Sequence, residues 1–184
     1  MAIADETTTE NDLKRWMQQG VDFVQLRAKS LNAGDLLQMA KQWQQTLQGS
    51  SSRLLINARA DVAMAAHAAG VHLTSRSGEL TPAQIRSLIP GAFVSVSAHT
   101  LCDVERANKQ AADLILFGPV FEKRIAGRIV VPGTGIAALA EACRAATKIP
   151  VLALGGITEE NTEACLQAGA AGIAAIRLFA TRQQ

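Results

Sequence analysis

Short apolar runs rich in β-branched residues alternate with longer stretches of 3.6-residue periodicity along the whole of this 184-residue chain. That alternation is the mark of βα units, whose apolar runs form a parallel sheet covered by helices. Strands are expected at 21–26, 53–57, 70–73, 93–97, 113–117, 150–154 and 171–176, with a vestigial one at 1–4 as the eighth. Helices are expected at 10–19, 32–48, 59–68, 81–88, 100–110, 134–146 and 158–168. Thr81 followed by Pro82 reads as an N-cap with proline at the first helical position, and Thr100 and Thr158 lead into acidic first turns. Several helices exit through a small residue directly before the next strand (QQG-VDF, HAAG-VHL, QAGAAG-IAA), the recurrence a ring of βα units produces. Eight such units favour one domain over residues 1–184, an α/β fold of the (β/α)8 TIM-barrel type. Such barrels usually need about 250 residues, with a lower end near 200. The chain is therefore expected to be trimmed at its first strand and its last helix.

Composition narrows the function. With 48% hydrophobic and 18% charged residues the chain is too apolar to be disordered, and its net charge of +2 comes from interspersed charges rather than a block. That interspersed charge implies no polyanion partner, and with aromatics at 4% of the chain and no tyrosine a stacking platform for nucleic acid is not expected. Cys102, Cys143 and Cys165 are odd in number and far apart, without nearby histidines; they read as reduced core thiols rather than disulfides or zinc ligands. The first residues carry no signal-peptide pattern, and the apolar runs fall well short of the ~18 residues that cross a bilayer. A cytoplasmic protein without a membrane partner is the expectation.

In barrels of this type the chemistry sits where the chain leaves the carboxyl ends of the strands. Strand two ends in Gln25, Leu26, Arg27, Ala28 and Lys29, and a period of two aims Gln25, Arg27 and Lys29 to one side. Strand three delivers Asn57, strand four His72 and Thr74, strand five Ser97 and His99. No acid stands in obvious range of Ser97 and His99, so a nucleophilic triad is not expected. Strand six carries no lysine, which argues against a Schiff-base aldolase. Strand seven ends in Gly155-Gly156 just before the helix opened by Thr158, an arrangement whose backbone N–H groups suit a phosphate. A bulky residue at 156 is expected to abolish phosphate binding and leave the fold intact. Arg177, after strand eight, is placed to reach the same anion. Residues 121–135 show no clean periodicity and read as a long loop whose Lys123, Arg124 and Arg128 either close over an anionic substrate or are simply solvated.

Several ordered segments carry a resemblance. VQLRAK (24–29), LLINARADVAMAAHAAGVHL (54–73), VSVSAHT (94–100), ADLILFGPVFE (112–122) and the stretch from 149 to 176 resemble the thiamine-phosphate synthase/TenI superfamily. The resemblance implies phosphorylated small molecules as ligands: thiazole phosphate, thiamine phosphate and a hydroxymethylpyrimidine diphosphate. It implies Gln25, Arg27, Lys29 and Asn57 on the diphosphate side, Ser97 near the pyrimidine, His99 among the ligand contacts, and Gly155 and Gly156 on the thiazole phosphate. Arg27, Lys29 and Ser97 are the residues it would make catalytic. Magnesium is expected from the synthases, yet the positions of its carboxylate ligands are held by Ala58 and Ser77, which supply no charge; Glu79 and Glu122 are the nearest acids in sequence. The Thr-x-Thr-Lys pattern of the synthases after Phe121 is replaced by residues 123–126, and TenI's proton-transfer histidine is replaced by Pro119. The stretch LTSRSGELTPAQIRSLIP (73–90) resembles TenI more closely than the synthase. The sequence thus implies a thiamine-biosynthesis protein nearer the TenI branch that binds thiazole phosphate or thiamine phosphate. A synthase and a binding or regulatory paralogue without turnover are the alternatives. A second copy could cover barrel surface left bare by the trimming, giving a homodimer.

Overall fold

The computed structural model describes residues 1–75, 78–125 and 128–179. Eight parallel strands form the barrel: β1 (Ala2–Ala4), β2 (Phe23–Leu26), β3 (Arg53–Asn57), β4 (Gly70–Leu73), β5 (Phe93–Ala98), β6 (Leu114–Phe117), β9 (Val151–Leu154) and β10 (Gly172–Ala174). They pair in chain order, and an isolated bridge between Ala2 and Ala175 joins the last strand to the first. Three hydrogen bonds hold that seam: Ile3 N–H to Ala175 O at 2.9 Å, Ala175 N–H to Met1 O at 3.2 Å, and the Met1 ammonium to Ile173 O at 2.8 Å.

The remaining two strands, β7 (Lys123–Ile125) and β8 (Arg128–Val131), pair antiparallel as a separate ribbon between β6 and β9. This corrects the expectation of an irregular loop. Strands of three and four residues are too short for their period to stand out, and the exposed apolar Ile129, Val130 and Val131 carry no alternation. Lys123–Ile125 lies within this ribbon, whereas Ala126 lies outside the described residues.

Helices α1 (Glu10–Gln18), α2 (Ala33–Thr46), α3 (Ala60–Ala65), α4 (Pro82–Leu88), α5 (Leu101–Lys109), α6 (Gly135–Ala145) and α7 (Glu159–Gln167) fill the connections. Thr81 and Thr100 cap α4 and α5 through reciprocal bonds with Gln84 and Asp103. Helix α3 stops earlier than its periodicity implies, because His67 turns into the left-handed region at φ 53°. After β10 the described chain ends in a turn over 177–179; residues 181–184, expected to hold at most one helical turn, lie outside the described residues. No helix among the described residues is long and apolar enough to cross a membrane.

The outward faces of the strands and the inner faces of the helices form the main core, with Leu13, Leu54, Ile56, Ile85, Ile115 and Leu139 buried almost completely. A second cluster fills the barrel itself: Met1, Ile3, Leu55, Leu114, Leu116, Leu152 and Ala174. Below it, Phe23 and Phe93 stack at 4.8 Å between ring centroids, with the Arg53 guanidinium over both rings. Gly70 is what lets β4 lie this close to β5: a Cβ there would meet the Phe93 carbonyl oxygen at 1.8 Å. The barrel is thus plugged at its amino end and filled to mid-height, which leaves chemistry only the other end. Of the cysteines only Cys165 belongs to the core; Cys143 is half-buried and Cys102 is exposed, a correction to their reading as buried thiols.

Candidate active site

At the carboxyl end of the strands lies a cavity of about 630 Å³. Strand alternation decides what faces it. From Ile3 the register runs sideways to Gln25 and Leu55 and, one step higher, from Asn57 to His72 and Ser95. Those positions share the barrel interior, so the residues two places further along each strand rise into the mouth. Arg27 and Lys29 from β2, Asn57 from β3, Thr74 after β4, and Ser97 and His99 from β5 all line the cavity. The structure therefore brings together Gln25, Arg27, Lys29, Asn57, Ser97 and His99.

Gln25 is almost fully buried at 1% exposure and donates through Nε2 to Asn57 Oδ1 at 3.1 Å. Its Oε1 is buried with no hydrogen-bond partner among the described residues. Leaving such an atom unsatisfied costs roughly 1–3 kcal/mol, so the floor of the cavity presents an acceptor that a ligand donor would satisfy. Arg27 is half-buried and, among the described residues, has no carboxylate partner. Arg59 also reaches the cavity, held by Asp61 in a bidentate pair at 2.8 and 2.5 Å. Among the described residues the single carboxylate of the lining is Glu79, which accepts from the Thr74 backbone N–H at 2.6 Å and the Thr74 hydroxyl at 2.5 Å. His99 donates from Nδ1 to the Gly118 carbonyl.

His72, which strand four delivers, is both buried and cavity-lining. It is 3% exposed and bridges Ser95 Oγ at 2.9 Å and Ser97 Oγ at 3.0 Å. Burial, helped by the nearby positive charge of Arg27, drives its pKa down to about 3. Below about pH 6.5 the unfolded chain protonates this ring while the folded chain does not, so the unfolded state binds more protons and acid destabilises the fold. The contribution is roughly 1.4 kcal/mol per pH unit once the window is fully entered. Urea midpoints between pH 6 and pH 4 should fall more steeply for the wild type than for His72→Asn, and equal slopes would show that the ring is protonated in the fold.

The other predicted residues sit elsewhere. Arg177 is exposed and does not line the cavity; the alternation that puts Ala174 inside puts Ile176 into the mouth instead. Gly155 and Gly156 lie just past the mouth residue Leu154 but outside the lining. Both have positive φ, 95° and 65°, and both are packed against the preceding βα loop. A Cβ on Gly155 would meet Pro119 at 2.6 Å, and one on Gly156 would meet Phe121 Cβ at 2.6 Å. The expectation that a bulky residue at 156 leaves the fold intact is thereby corrected. Even Gly156→Ala is expected to lower stability by about 1–3 kcal/mol through left-handed strain and overpacking, read as a lower melting temperature before any ligand is added. Asn161 fixes the turn that follows, accepting from Thr158 N–H at 2.9 Å and donating to Gly156 O at 2.9 Å.

Over residues 1–179 the sequence matches the family described as thiamine monophosphate synthase. The chain belongs to that family. Among relatives of this thiamine monophosphate synthase family member, the thiamine-phosphate synthase of Methanoculleus marisnigri is 37% identical over 95% of this chain and 83% of its own length. That of Chlorobium luteolum is 34% identical over 95% of this chain and 81% of its own. In fold the chain is similar to thiamine phosphate pyrophosphorylase from Pyrococcus furiosus, with a TM-score of 0.81 and 24% identity over 95% of this chain and 84% of that one. A TIM-barrel fold and family membership, both expected from the sequence, are thus shown. Sequence reasoning did not place Glu79 and Arg59 in the mouth; Arg59 was visible two residues after Asn57, whereas Glu79 arrives on a loop with no periodic register.

Magnesium, which the family implies, does not fit the donor set here. Ala58 stands at a carboxylate position, and Ser77 lies outside the described residues. No group of three or more His, Cys, Asp or Glu able to hold a metal occurs among the described residues. The one cavity carboxylate among the described residues, Glu79, is already committed to Thr74.

Proposed function

We propose that this family member binds phosphorylated thiamine precursors at the barrel mouth and joins a hydroxymethylpyrimidine diphosphate to a thiazole phosphate, with protein cations in the place of a carboxylate-bound metal. The observation that carries the reading is the convergence of Arg27, Lys29 and Arg59 on one cavity whose lining, among the described residues, holds a single carboxylate. In this reaction the bond from the pyrimidine methylene to the diphosphate oxygen breaks, its electron pair leaving with the diphosphate. The lone pair of the thiazole nitrogen then forms the new C–N bond. A departing diphosphate is helped by positive charge fixed where its own charge develops. Arg27 is suited to this, since no carboxylate among the described residues competes for it and a planar guanidinium matches phosphate oxygens in pairs. Lys29 lies at the rim, where a flexible ammonium follows the leaving group outward. Gly155, Gly156 and the first turn of α7 are the proposed seat of the thiazole phosphate.

The names of the relatives favour the synthase over the TenI branch. Pro119 favours it too, because a proline side chain cannot shuttle the proton that a tautomerase moves. We infer slow coupling, since loss of a metal's field removes a factor of ten in rate for each ~1.4 kcal/mol of transition-state stabilisation. Thiamine phosphate formation, followed across a magnesium series with a chelator control, is expected to be weak and to persist in chelator. Robust, magnesium-saturable turnover would overturn the metal-independent reading. Calorimetric binding of thiamine phosphate without any turnover would replace the enzyme by a binding protein.

A further inference from the structure

The hydroxyl–imidazole–hydroxyl chain at His72 has a direction, and the structure supplies what is needed to assign it. A neutral imidazole donates from one nitrogen and accepts at the other, so one of Ser95 and Ser97 gives a proton to the ring and the other takes one. Ser95 is fully buried, and among the described residues His72 Nδ1 is the only partner of its hydroxyl. Were Nδ1 to donate to Ser95, the Ser95 proton would be buried without an acceptor, at a cost of roughly 1–3 kcal/mol. If Ser95 donates to Nδ1 instead, the Ser95 hydroxyl and both ring nitrogens of His72 are satisfied. The ring then carries its hydrogen on Nε2 and donates it to Ser97 Oγ, 3.0 Å away. Ser97 is half-buried at the cavity and keeps its own hydrogen for whatever lies there.

We propose that Ser95 and His72 are a positioning pair that locks the Ser97 hydroxyl as a hydrogen-bond donor into the cavity, so that this point of the wall recognises an acceptor atom of the ligand, such as an unprotonated ring nitrogen or a phosphoryl oxygen. The chain runs one way, from Ser95 O–H to Nδ1, from Nε2–H to Ser97 and from Ser97 O–H to ligand, and each bond polarises the next. The same direction denies Ser97 a general base: the nitrogen facing it holds a proton rather than taking one, so Ser97 is no nucleophile in spite of its histidine. Elsewhere on the same cavity lining, the Oε1 of Gln25, without a partner among the described residues, is an acceptor. The cavity thus offers a ligand both a donor and an acceptor. This identity of the ligand rests on the function proposed above, whereas the direction of the chain does not.

Two measurements separate those claims. Long-range ¹H–¹⁵N NMR on the ligand-free protein reads the tautomer directly. His72 is expected in the Nε2–H form with no titration between pH 5 and pH 8, and an Nδ1–H signature would overturn the proposal. Ser95→Ala and Ser95→Thr then probe the distant end, since Ser95 does not line the cavity. Ser95→Ala should mix the tautomers and weaken thiamine phosphate binding about ten-fold. Inorganic phosphate binding should stay unchanged, and Ser95→Thr, which keeps the donor, should restore affinity. Equal affinities of the alanine and wild-type proteins, with the tautomer also unmoved, would overturn the positioning role. Failure of the wild type itself to bind thiamine phosphate would overturn the proposed function and leave the chain's direction to the NMR result alone.

Discussion

Replacing Arg27 with glutamine is expected to lower kcat/KM for thiamine phosphate formation by at least about 100-fold, the usual loss when one preorganised donor to a developing anion is removed. Glutamine keeps much of the stem and a hydrogen-bonding head, so the fold should survive and the melting temperature should hardly move. The effect should be larger than for Lys29→Gln, because Arg27 is half-buried while Lys29 is exposed, and water screens a rim charge. A second readout belongs to the same substitution. The Arg27 charge helps hold the His72 pKa down, so its removal should let that pKa rise while burial still keeps it low. If coupling is unimpaired in Arg27→Gln, the diphosphate does not leave past this residue, and the proposed site is wrong at its centre.

Gly70→Ala is expected to have the largest effect on stability. Its Cβ would lie 1.8 Å from the Phe93 carbonyl oxygen, a backbone atom that moves only if β4 and β5 move with it. Phe93 is in turn clamped between Phe23 and Arg53, so the strain has no soft outlet. A loss of about 3 kcal/mol or more is expected from such overpacking, seen as a melting temperature lower by roughly 10 °C for a chain of this size. A change of only a degree or two would mean that the barrel floor yields far more easily than its geometry implies.

Both results bear on what could be read from residues alone. The strands at 53–57 and 70–73 stand where the apolar runs put them, because a strand buried on both faces must be apolar throughout, and the threonine caps mark the helix starts to within a residue. The mouth residues on β2, β3 and β5 were legible for the same reason: once a strand end is fixed, a period of two says which side chains rise. That logic ends where strands end. Arg177 was expected at the anion site, but the turn at 177–179 follows Ile176 into the mouth and leaves the arginine outside. That a side chain at Gly155 or Gly156 would meet Pro119 or Phe121 was not legible either, since only tertiary packing brings those neighbours there. Nor does the sequence show that Ala58 sits at φ 56°, a conformation in which an alanine is disfavoured. The pairing of His72 with Ser95 and Ser97 was within reach, since adjacent strands place residue 72 beside 95; what was missing was the register.

The closure of the barrel carries a mechanical consequence. Seven of the eight joints around the ring are continuous ladders, whereas the eighth rests on an isolated bridge with three hydrogen bonds between Met1–Ile3 and Ile173–Ala175. A closed ring resists shear in proportion to its weakest joint, so under load this molecule behaves as a split washer rather than a hoop. Ile3 and Ile176 flank that split on the cavity side. A ligand seated across the mouth would press on both lips of the gap, and the diameter of the mouth, fixed in an unbroken barrel, becomes here an adjustable quantity.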